Sequence, residues 1–186
     1  MPGAGVSEEL EVLKTVGRRL DDLGIPYMIT GSMAVNYYAV PRMTRDIDLV
    51  VELSAGDAER LWEAFQADFY VDRDAVQRAI EERGLFNAIH GASVVKVDFV
   101  VRKESEYRRE EFVRRRRIRI EDEELSLVAP EDLIISKLDW ARKSHSEVQL
   151  ADVRNVLASV SSLDQAYLAR WTDHLGLSEL YDEVRR

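Results

Sequence analysis

The chain has 186 residues, 46% of them hydrophobic and 33% charged, and its formal net charge is −9. The absence of cysteine excludes disulfides, thiolate nucleophiles and thiolate zinc sites, and the negative charge argues against non-specific binding to bulk DNA. No apolar run approaches the roughly 18 residues that span a bilayer, and the N-terminal sequence MPGAGVSEEL lacks the basic and apolar regions of a secretory signal, so we expect a cytoplasmic protein without a membrane partner.

The first predicted element is a helix over residues 7–24. Apolar residues recur there at helical spacing, at Leu10, Leu13, Val16, Leu20 and Leu23. Ser7 suits the N-cap of this helix, and Gly24 suits its end. The next predicted elements are a short strand at 26–30, a short helix at 32–39 that ends before Pro41, and a strand at 46–53.

The remaining strands are predicted to end near residue 128, and the rest of the chain is predicted to be helical. Helices are expected at 55–67 and 75–83, and strand pairs at 86–90 with 94–101 and at 114–120 with 125–128. Four helices follow, at 130–143, 147–160, 164–175 and 178–185. This order predicts an α+β core, residues 1–129, with a helical C-terminal region, residues 130–186, packed on it.

Two aspartates alternate with apolar residues in the strand that begins at residue 46. Because side chains alternate across a strand, Asp46 and Asp48 share one face, while Ile47 and Leu49 share the core face. One interpretation is a half-exposed edge strand. The other is a site for a divalent cation, because such an ion would relieve the repulsion between the two carboxylates.

Two further features favour the second interpretation. Gly31 and Ser32 join a strand to a helix N-terminus, where free backbone amides can bind an anion, although a tight turn with an N-cap serine would look the same. Asp98 interrupts the apolar run VVKVDFVV. If its strand lies beside Asp46 and Asp48, three carboxylates converge in a set that suits Mg²⁺ or Mn²⁺. Alternatively, Asp98 pairs with Lys96 or with an arginine.

This combination resembles the polymerase-beta-like nucleotidyltransferase superfamily. The matching pattern is Ile29-Thr30-Gly31-Ser32, thirteen intervening residues, and Asp46-Ile47-Asp48-Leu49, followed by the later strand aspartate. The stretches AVPRMTRDIDLVV, APEDLIISKLDWAR and LADVRNVL are similar to small prokaryotic nucleotidyltransferases, among them abortive-infection-type toxins. The resemblance covers roughly residues 25–160 and implies a mixed sheet flanked by helices with a helical C-terminal cap.

The resemblance also implies a metal-dependent transfer reaction. Asp46 and Asp48 would hold Mg²⁺ or Mn²⁺ against the triphosphate, and Asp98 would help to bind the catalytic metal and activate an acceptor hydroxyl. Gly31 and Ser32 would bind the β- and γ-phosphates of the nucleoside triphosphate. A nucleoside monophosphate group would then move to the acceptor as pyrophosphate leaves, so that catalysis rests on positioning and charge neutralisation.

Four other charged residues are candidates for this site. The resemblance suggests that Arg42 and Arg45 contact phosphate or acceptor, and the alternative is a solvated loop whose arginines offset the acids. Lys137 and Asp152 fall inside the apolar stripes of two consecutive predicted helices. They form either a buried salt bridge that fixes helix register or, as the resemblance suggests, part of the nucleotide-binding cleft, with Lys137 on the triphosphate and Asp152 orienting it.

The acceptor is left open by the sequence. An RNA end such as that of tRNA, a small hydroxylated molecule such as an aminoglycoside, and a protein hydroxyl all fit the reaction. A toxin-like enzyme would also have an antitoxin protein as its partner. The alternative from another functional class is a catalytically inactive nucleotide-binding or regulatory module with the same fold. The basic run Arg114–Arg117 indicates a strand with a charged outer face rather than a path for RNA.

Overall fold

The structure, a computed structural model, describes residues 7–186. Residues 1–6, part of the segment on which the prediction about a secretory signal rests, lie outside the described residues. The strands are β1 (Tyr27–Thr30), β2 (Asp46–Val51), β3 (Phe69–Val71), β4 (Leu85–His90), β5 (Lys96–Val101), β6 (Arg116–Ile120) and β7 (Glu123–Leu127). The helices are α1 (Glu8–Asp22), α2 (Gly31–Tyr38), α3 (Asp57–Phe65), α4 (Arg73–Glu82), α5 (Glu106–Val113), α6 (Pro130–Ser144), α7 (Glu147–Ser159), α8 (Gln165–His174) and α9 (Ser178–Val184).

The predicted α+β class is confirmed, but two elements were not predicted from the sequence. Strand β3 has only three residues, too few for an alternating pattern to appear. Helix α5 has the sequence EYRREEFV, in which five of eight residues are charged, so its buried face is hard to recognise. Among residues 7–186, none of the helices has the combination of length and apolarity that crossing a membrane requires.

The last strand ends at Leu127, and α6 begins at Pro130. Helix α2 packs against β2 and also against α6 and α7, so the helical C-terminal region lies on the core near the Gly-Ser turn. The division of the chain into 1–129 and 130–186 stays a prediction.

Strand β2 is central in the sheet, not at its edge. The seven strands are ordered β3-β4-β5-β2-β1-β7-β6, with β2 parallel to β5 and antiparallel to β1. The interpretation of Asp46 and Asp48 as residues of an edge strand is therefore wrong. The basic strand β6, in contrast, does lie at an edge.

One face of the central strands is fully apolar. Ile47 and Leu49 of β2 and Val97 and Phe99 of β5 are fully buried, and Phe65 of α3 packs edge-on against Phe99 with the ring centroids 5.7 Å apart. Burial of each such side chain contributes about 1.5–3 kcal/mol. The apolar residues therefore fix which way these strands face, and the acidic residues between them must point to the opposite face.

The opposite face is covered by helices on one side of Asp48 and open on the other. Beyond β5, most outward residues of β4 and β3 are exposed: Leu85 is 54% and Tyr70 72% exposed, Asn87 is exposed as well, and Ile89 is half-buried. Cross-strand pairing puts Asn87 beside Asp98 and Tyr70 beside Ile89. An uncharged, partly apolar floor therefore extends from Asp98 to the edge of the sheet.

Candidate functional site

The sheet register brings the three predicted acids onto one face. Asp48 lies directly opposite Asp98 on the parallel neighbour β5 and directly opposite Thr30 on β1. Asp46 lies at the start of β2, where its side chain is 59% exposed, whereas the side chain of Asp98 is 15% exposed. The alternating pattern of two strands thus produces a group of three carboxylates, which we call the acid cluster: Asp46, Asp48 and Asp98.

The backbone conformation and the surroundings of Gly31 explain why α2 begins with a glycine. Its φ of +61° is a left-handed conformation that favours glycine. A Cβ atom at this position would lie 2.0 Å from Oδ2 of Asp48, far inside van der Waals contact. Glycine is therefore needed both for the backbone conformation and for the close approach of the Asp48 carboxylate, and the Gly-Ser turn and the acid cluster form one unit.

The environment of Asp48 disfavours a negative charge. Burial raises the pKa of Asp48 above its ordinary value, and the neighbouring charge of Asp98 raises it further, while Lys137 acts in the opposite direction. The repulsion within this half-buried pair of like charges would be relieved by a cation. The acid cluster is therefore electrostatically incomplete by itself.

One lysine lies among the acids. Nζ of Lys96 is 2.9 Å from Oδ2 of Asp98 and 3.8 Å from Oδ1 of Asp46. The hydrogen bond to Asp98 is the main cause of the raised pKa of Lys96. Among residues 7–186, no group of three or more histidine or acidic side chains is close enough to hold a metal ion, so the predicted metal ligands Asp46, Asp48 and Asp98 stay a prediction.

A second cluster has the opposite charge excess. The carboxylate of Asp152 accepts hydrogen bonds of 2.8 Å from Nε and Nη2 of Arg42 and from Nζ of Lys137. Asp152 and Lys137 are both buried. Although burial alone would raise the pKa of Asp152, the hydrogen bonds from Arg42 and Lys137 lower it. The predicted ion pair between Lys137 and Asp152 is present, and we call these three residues the basic cluster.

The basic cluster reaches the Gly-Ser turn through Arg42. Nη2 of Arg42 donates a hydrogen bond of 2.7 Å to Oγ of Ser32. Asn36 clamps the backbone of Arg42 with two hydrogen bonds of 2.9 Å, one to its carbonyl oxygen and one from its amide. Asn155 exchanges similar bonds with the backbone of Val40. The loop after α2 is therefore fixed, and with it the position of the Arg42 guanidinium.

Arg45 lies near Arg42 but belongs to neither cluster. It lines a cavity of about 630 Å³ together with Leu10, Tyr37 and Met43, and Arg42 lines the same cavity. With the described residues, Arg45 forms no hydrogen bond or ion pair with either cluster. The arrangement gives no support to the prediction that Arg45 contacts phosphate, and that role stays a prediction.

Comparison with solved structures identifies the fold. An antigenic nucleotidyltransferase-like protein from Paracoccidioides brasiliensis aligns with a TM-score of 0.59 and 20% identity, over 96% of this chain and 93% of that one. For the antibiotic-resistance factor ANT(2'')-Ia the TM-score is 0.61, with 14% identity over 95% of this chain and 97% of that one. The lincosamide antibiotic adenylyltransferase LnuA, with lincomycin bound, aligns with a TM-score of 0.55 and 10% identity, over 83% of this chain and 98% of that one.

The chain has the polymerase-beta-like nucleotidyltransferase fold. No family model and no curated protein sequence matches it. The fold that the motifs suggested is thus confirmed through structures of low sequence identity. Two of the residues in those motifs, Asp48 and Arg42, lie at the Gly-Ser turn.

Three residues of the site were missed or underrated in the sequence. Lys96 entered only as a partner for Asp98, although its position two residues earlier already places it on the same face. Gln149 accepts a hydrogen bond of 2.8 Å from Lys137, and no sequence pattern distinguishes it from other helix glutamines. Asn36 holds Arg42 across six residues. An asparagine facing a loop is a common signal of backbone capping, but its partner is visible only in the structure.

In this nucleotidyltransferase fold the two clusters meet at Gly31 and Ser32. Three carboxylates of the acid cluster face one ammonium group, that of Lys96, so negative charge is in excess there. Two cations of the basic cluster share one carboxylate, so positive charge is in excess there. A ligand that combines a cation with a polyanion would satisfy both excesses at once.

Proposed function

We propose that the protein is a metal-dependent nucleotidyltransferase that moves a nucleoside monophosphate group from a nucleoside triphosphate to a hydroxyl group of a small molecule. The observation that carries this proposal is the pairing of an acidic and a basic charge excess at the Gly-Ser turn. In a complex of a divalent cation with a triphosphate, the cation would face the acid cluster and the phosphates would face the basic cluster.

The acid cluster fits a divalent cation by its chemistry. Asp46, Asp48 and Asp98 offer carboxylate oxygens, the ligands that Mg²⁺ and Mn²⁺ prefer, and the ammonium of Lys96 already lies between two of them. These three residues would hold the ion, which when bound neutralises the negative charge of the reacting phosphates. Gly31 contributes by leaving room for the Asp48 carboxylate.

The phosphate groups of the nucleotide would bind at the basic cluster and the Gly-Ser turn beside it. Oγ of Ser32 and the first backbone amides of α2 can donate hydrogen bonds to phosphate oxygens. Arg42 adds a planar guanidinium that already contacts Ser32, and Lys137 adds a second positive charge. Asp152 and Gln149 hold the Lys137 ammonium at 2.8 Å each, which orients it in advance.

In the reaction we propose, Asp98 accepts the proton of the acceptor hydroxyl. The acceptor oxygen then forms a bond to the α-phosphorus, and the bond from that phosphorus to the oxygen that bridges it to the β-phosphate breaks. The electron pair of the broken bond leaves with pyrophosphate. The residues of the basic cluster offset the charge that develops on the pyrophosphate.

The open floor next to Asp98 favours a small molecule as the acceptor. Its exposed side chains are Tyr70, Leu85 and Asn87, and strands β3 and β4 contain no lysine or arginine. A nucleic-acid backbone would need positive charge there, whereas the basic strand β6 lies at the other edge of the sheet. Two of the structures that share the fold, an antibiotic-resistance factor and an antibiotic adenylyltransferase with lincomycin bound, support the same acceptor class.

The other predicted roles have less support. A catalytically inactive regulatory module would not need all three carboxylates on one face, and the repulsion between Asp48 and Asp98, which Lys96 offsets in part, favours a bound cation. A toxin role with an antitoxin partner and an RNA or protein acceptor stay predictions, as does cytoplasmic location.

The test is incubation of the purified protein with each α-labelled nucleoside triphosphate, Mg²⁺ and a pool of hydroxylated small molecules, with tRNA and a protein extract in separate reactions. We expect label in the small-molecule fraction, together with pyrophosphate release. Asp48→Asn and Asp98→Asn should each lower the rate by about a hundredfold to a thousandfold, because each removes a charge that the transition state needs.

Asp74→Asn is the matched control, because it makes the same chemical change at an exposed position of α4. It should retain the wild-type rate. Transfer of label to tRNA or protein alone would contradict the acceptor class, and equal rates for all three variants would contradict the role of the acid cluster.

A further inference from the structure

We propose that Lys96 is a built-in counter-ion of the acid cluster, which holds Asp46 and Asp98 together in the metal-free protein and is displaced when a divalent cation binds. This inference rests on the proposed function, since it concerns the same cation site. It makes Lys96 a positioning residue that sets the affinity for the metal, rather than a catalytic residue.

The position of Lys96 follows from the sheet register. Lys96 lies directly opposite Asp46 across the parallel pair β2 and β5, and its side chain shares a face with Asp98, two residues later in β5. Its ammonium contacts both, at 3.8 Å and 2.9 Å. Within residues 7–186 it is the one lysine or arginine that forms an ion pair with the acid cluster.

Lys96 can leave this position, in contrast to Lys137. The side chain of Lys96 is 40% exposed, and acids alone hold its ammonium. The side chain of Lys137 is 6% exposed, and both Asp152 and Gln149 hold it from a neighbouring helix. A lysine with a flexible four-carbon stem and an open path to solvent can move aside without disturbing the strands.

A divalent cation and this ammonium compete for the same oxygen atoms. Without either cation, carboxylates on adjacent strands repel each other, which destabilises the pairing of β2 with β5. Lys96 removes part of that repulsion while no metal is bound. The same contact must be broken before Asp98 and Asp46 can bind a metal together, so Lys96 stabilises the empty site and weakens metal binding.

The experiment is calorimetric titration with Mn²⁺ alone, together with thermal melting in EDTA and in Mn²⁺. Lys96→Met keeps the aliphatic stem and removes the charge, and Lys96→Gln serves as a second neutral variant should the methionine variant not fold. Lys96→Arg keeps the charge. Lys103→Met, at an exposed position just after β5, makes the same change in net charge outside the cluster.

We expect Lys96→Met to bind Mn²⁺ at least about tenfold more tightly than the wild type, because one competing positive charge is gone. In EDTA it should melt at a lower temperature than the wild type, and Mn²⁺ should raise its melting temperature by more. Lys96→Arg and Lys103→Met should bind Mn²⁺ with the wild-type affinity or more weakly.

Mn²⁺ affinity that is unchanged or weaker in Lys96→Met and Lys96→Gln would overturn the inference. If the wild type transfers nucleotide but shows this result, the inference fails alone. If neither the wild type nor the neutral variants bind Mn²⁺ and no nucleotide is transferred, the proposed function fails with it.

Discussion

Two groups of charged residues in this protein differ in whether their charges are balanced by neighbouring partners. One is the acid cluster on the sheet. The other, which we call the buried network, joins α5, α6 and α8 through Arg108, Glu111, Arg114, Asp132 and Tyr167. Asp132 and Glu111 are both buried, yet every oxygen of their carboxylates has a partner.

The buried network satisfies its charges with short, matched contacts. Arg114 donates to Asp132 at 3.0 Å and to Glu131 at 2.9 Å, and its guanidinium lies over the ring of Tyr167 at 3.7 Å. The hydroxyl of Tyr167 donates to Asp132 at 2.6 Å. Burial raises the pKa of Asp132, but the hydrogen bonds from Tyr167 and Arg114 oppose that shift.

The acid cluster has the reverse arrangement. Burial also raises the pKa of Asp48, but its next largest influence is the negative charge of Asp98, which raises the pKa further. The single cation that contacts the cluster in the described residues, Lys96, is partly exposed. This fold therefore balances the charges of its buried network, and the charge imbalance at the sheet is a property of the site.

The largest change in stability is expected from a substitution that disrupts the buried network. Arg114→Met should lower the free energy of unfolding by about 3 kcal/mol, because it leaves the buried carboxylate of Asp132 without its cation and removes the nearer of two cations from Glu131. Nucleotide transfer at low temperature should be unchanged, since Arg114 touches neither cluster of the site. Chemical denaturation followed by circular dichroism measures the first quantity, and the labelled-nucleotide assay measures the second.

Arg109→Met is the matched control for this substitution. Arg109 is on α5, which Arg114 follows directly. Its side chain is 59% exposed, and its ion pair with Glu104 is 3.9 Å long. The loss of such a surface pair should cost at most about 1 kcal/mol. Equal destabilisation by the two substitutions would show that the buried network contributes no more than an ordinary surface pair.

A smaller change in stability separates the two reasons for glycine at position 31, which are the left-handed backbone and the close approach of Asp48. Gly24 and Gly31 have similar backbone angles, with φ of +67° and +61°. A Cβ at Gly24 would meet nothing within 4 Å, whereas one at Gly31 would meet Asp48. Gly24→Ala should therefore cost only the left-handed penalty of about 1 kcal/mol, and Gly31→Ala about 1–2 kcal/mol more.

The rate of nucleotide transfer should also distinguish these two substitutions. Gly31→Ala should abolish nucleotide transfer, because the Asp48 carboxylate has to move, and Gly24→Ala should retain it. If the two variants have the same stability and the same activity, then the close approach of Asp48 to the Gly-Ser turn has no role.

The sequence predicted those parts of the fold that have a local pattern. Alternation in DIDLVV and KVDFVV placed Asp46, Asp48 and Asp98 on outward faces, and the resemblance supplied the order of the motifs. The pairing of Asp48 with Asp98 depends on the register between β2 and β5, which no local pattern specifies. The helical phase of Lys137 and Asp152 predicted their burial and ion pair correctly.

Contacts across long stretches of chain could not be predicted in this way. Arg42 and Asp152 are 110 residues apart, and their bidentate contact exists because α2 packs against α7. Arg45 was grouped with Arg42 because both flank the acids. Both line the same cavity, but of the two, within the described residues, Arg42 alone forms hydrogen bonds with Ser32 and Asp152. The buried network was missed altogether, since α5 has no clear apolar face.

The charge imbalance around Asp48 should cost stability until a metal and a triphosphate bind. When folding raises the pKa of a carboxyl group, the free energy of unfolding falls as the pH rises above the pKa of that group in the unfolded chain, which is 3.8 for Asp48. At neutral pH, Asp48→Asn should therefore stabilise the metal-free protein while removing a ligand for the metal.

The most direct test is thermal melting of the wild type and Asp48→Asn at pH 7, first in EDTA and then with Mg²⁺ and a non-hydrolysable nucleoside triphosphate. We expect Asp48→Asn to melt at the higher temperature in EDTA and the wild type to melt at the higher temperature with the ligands, so that the order reverses. The same order under both conditions would contradict this expectation.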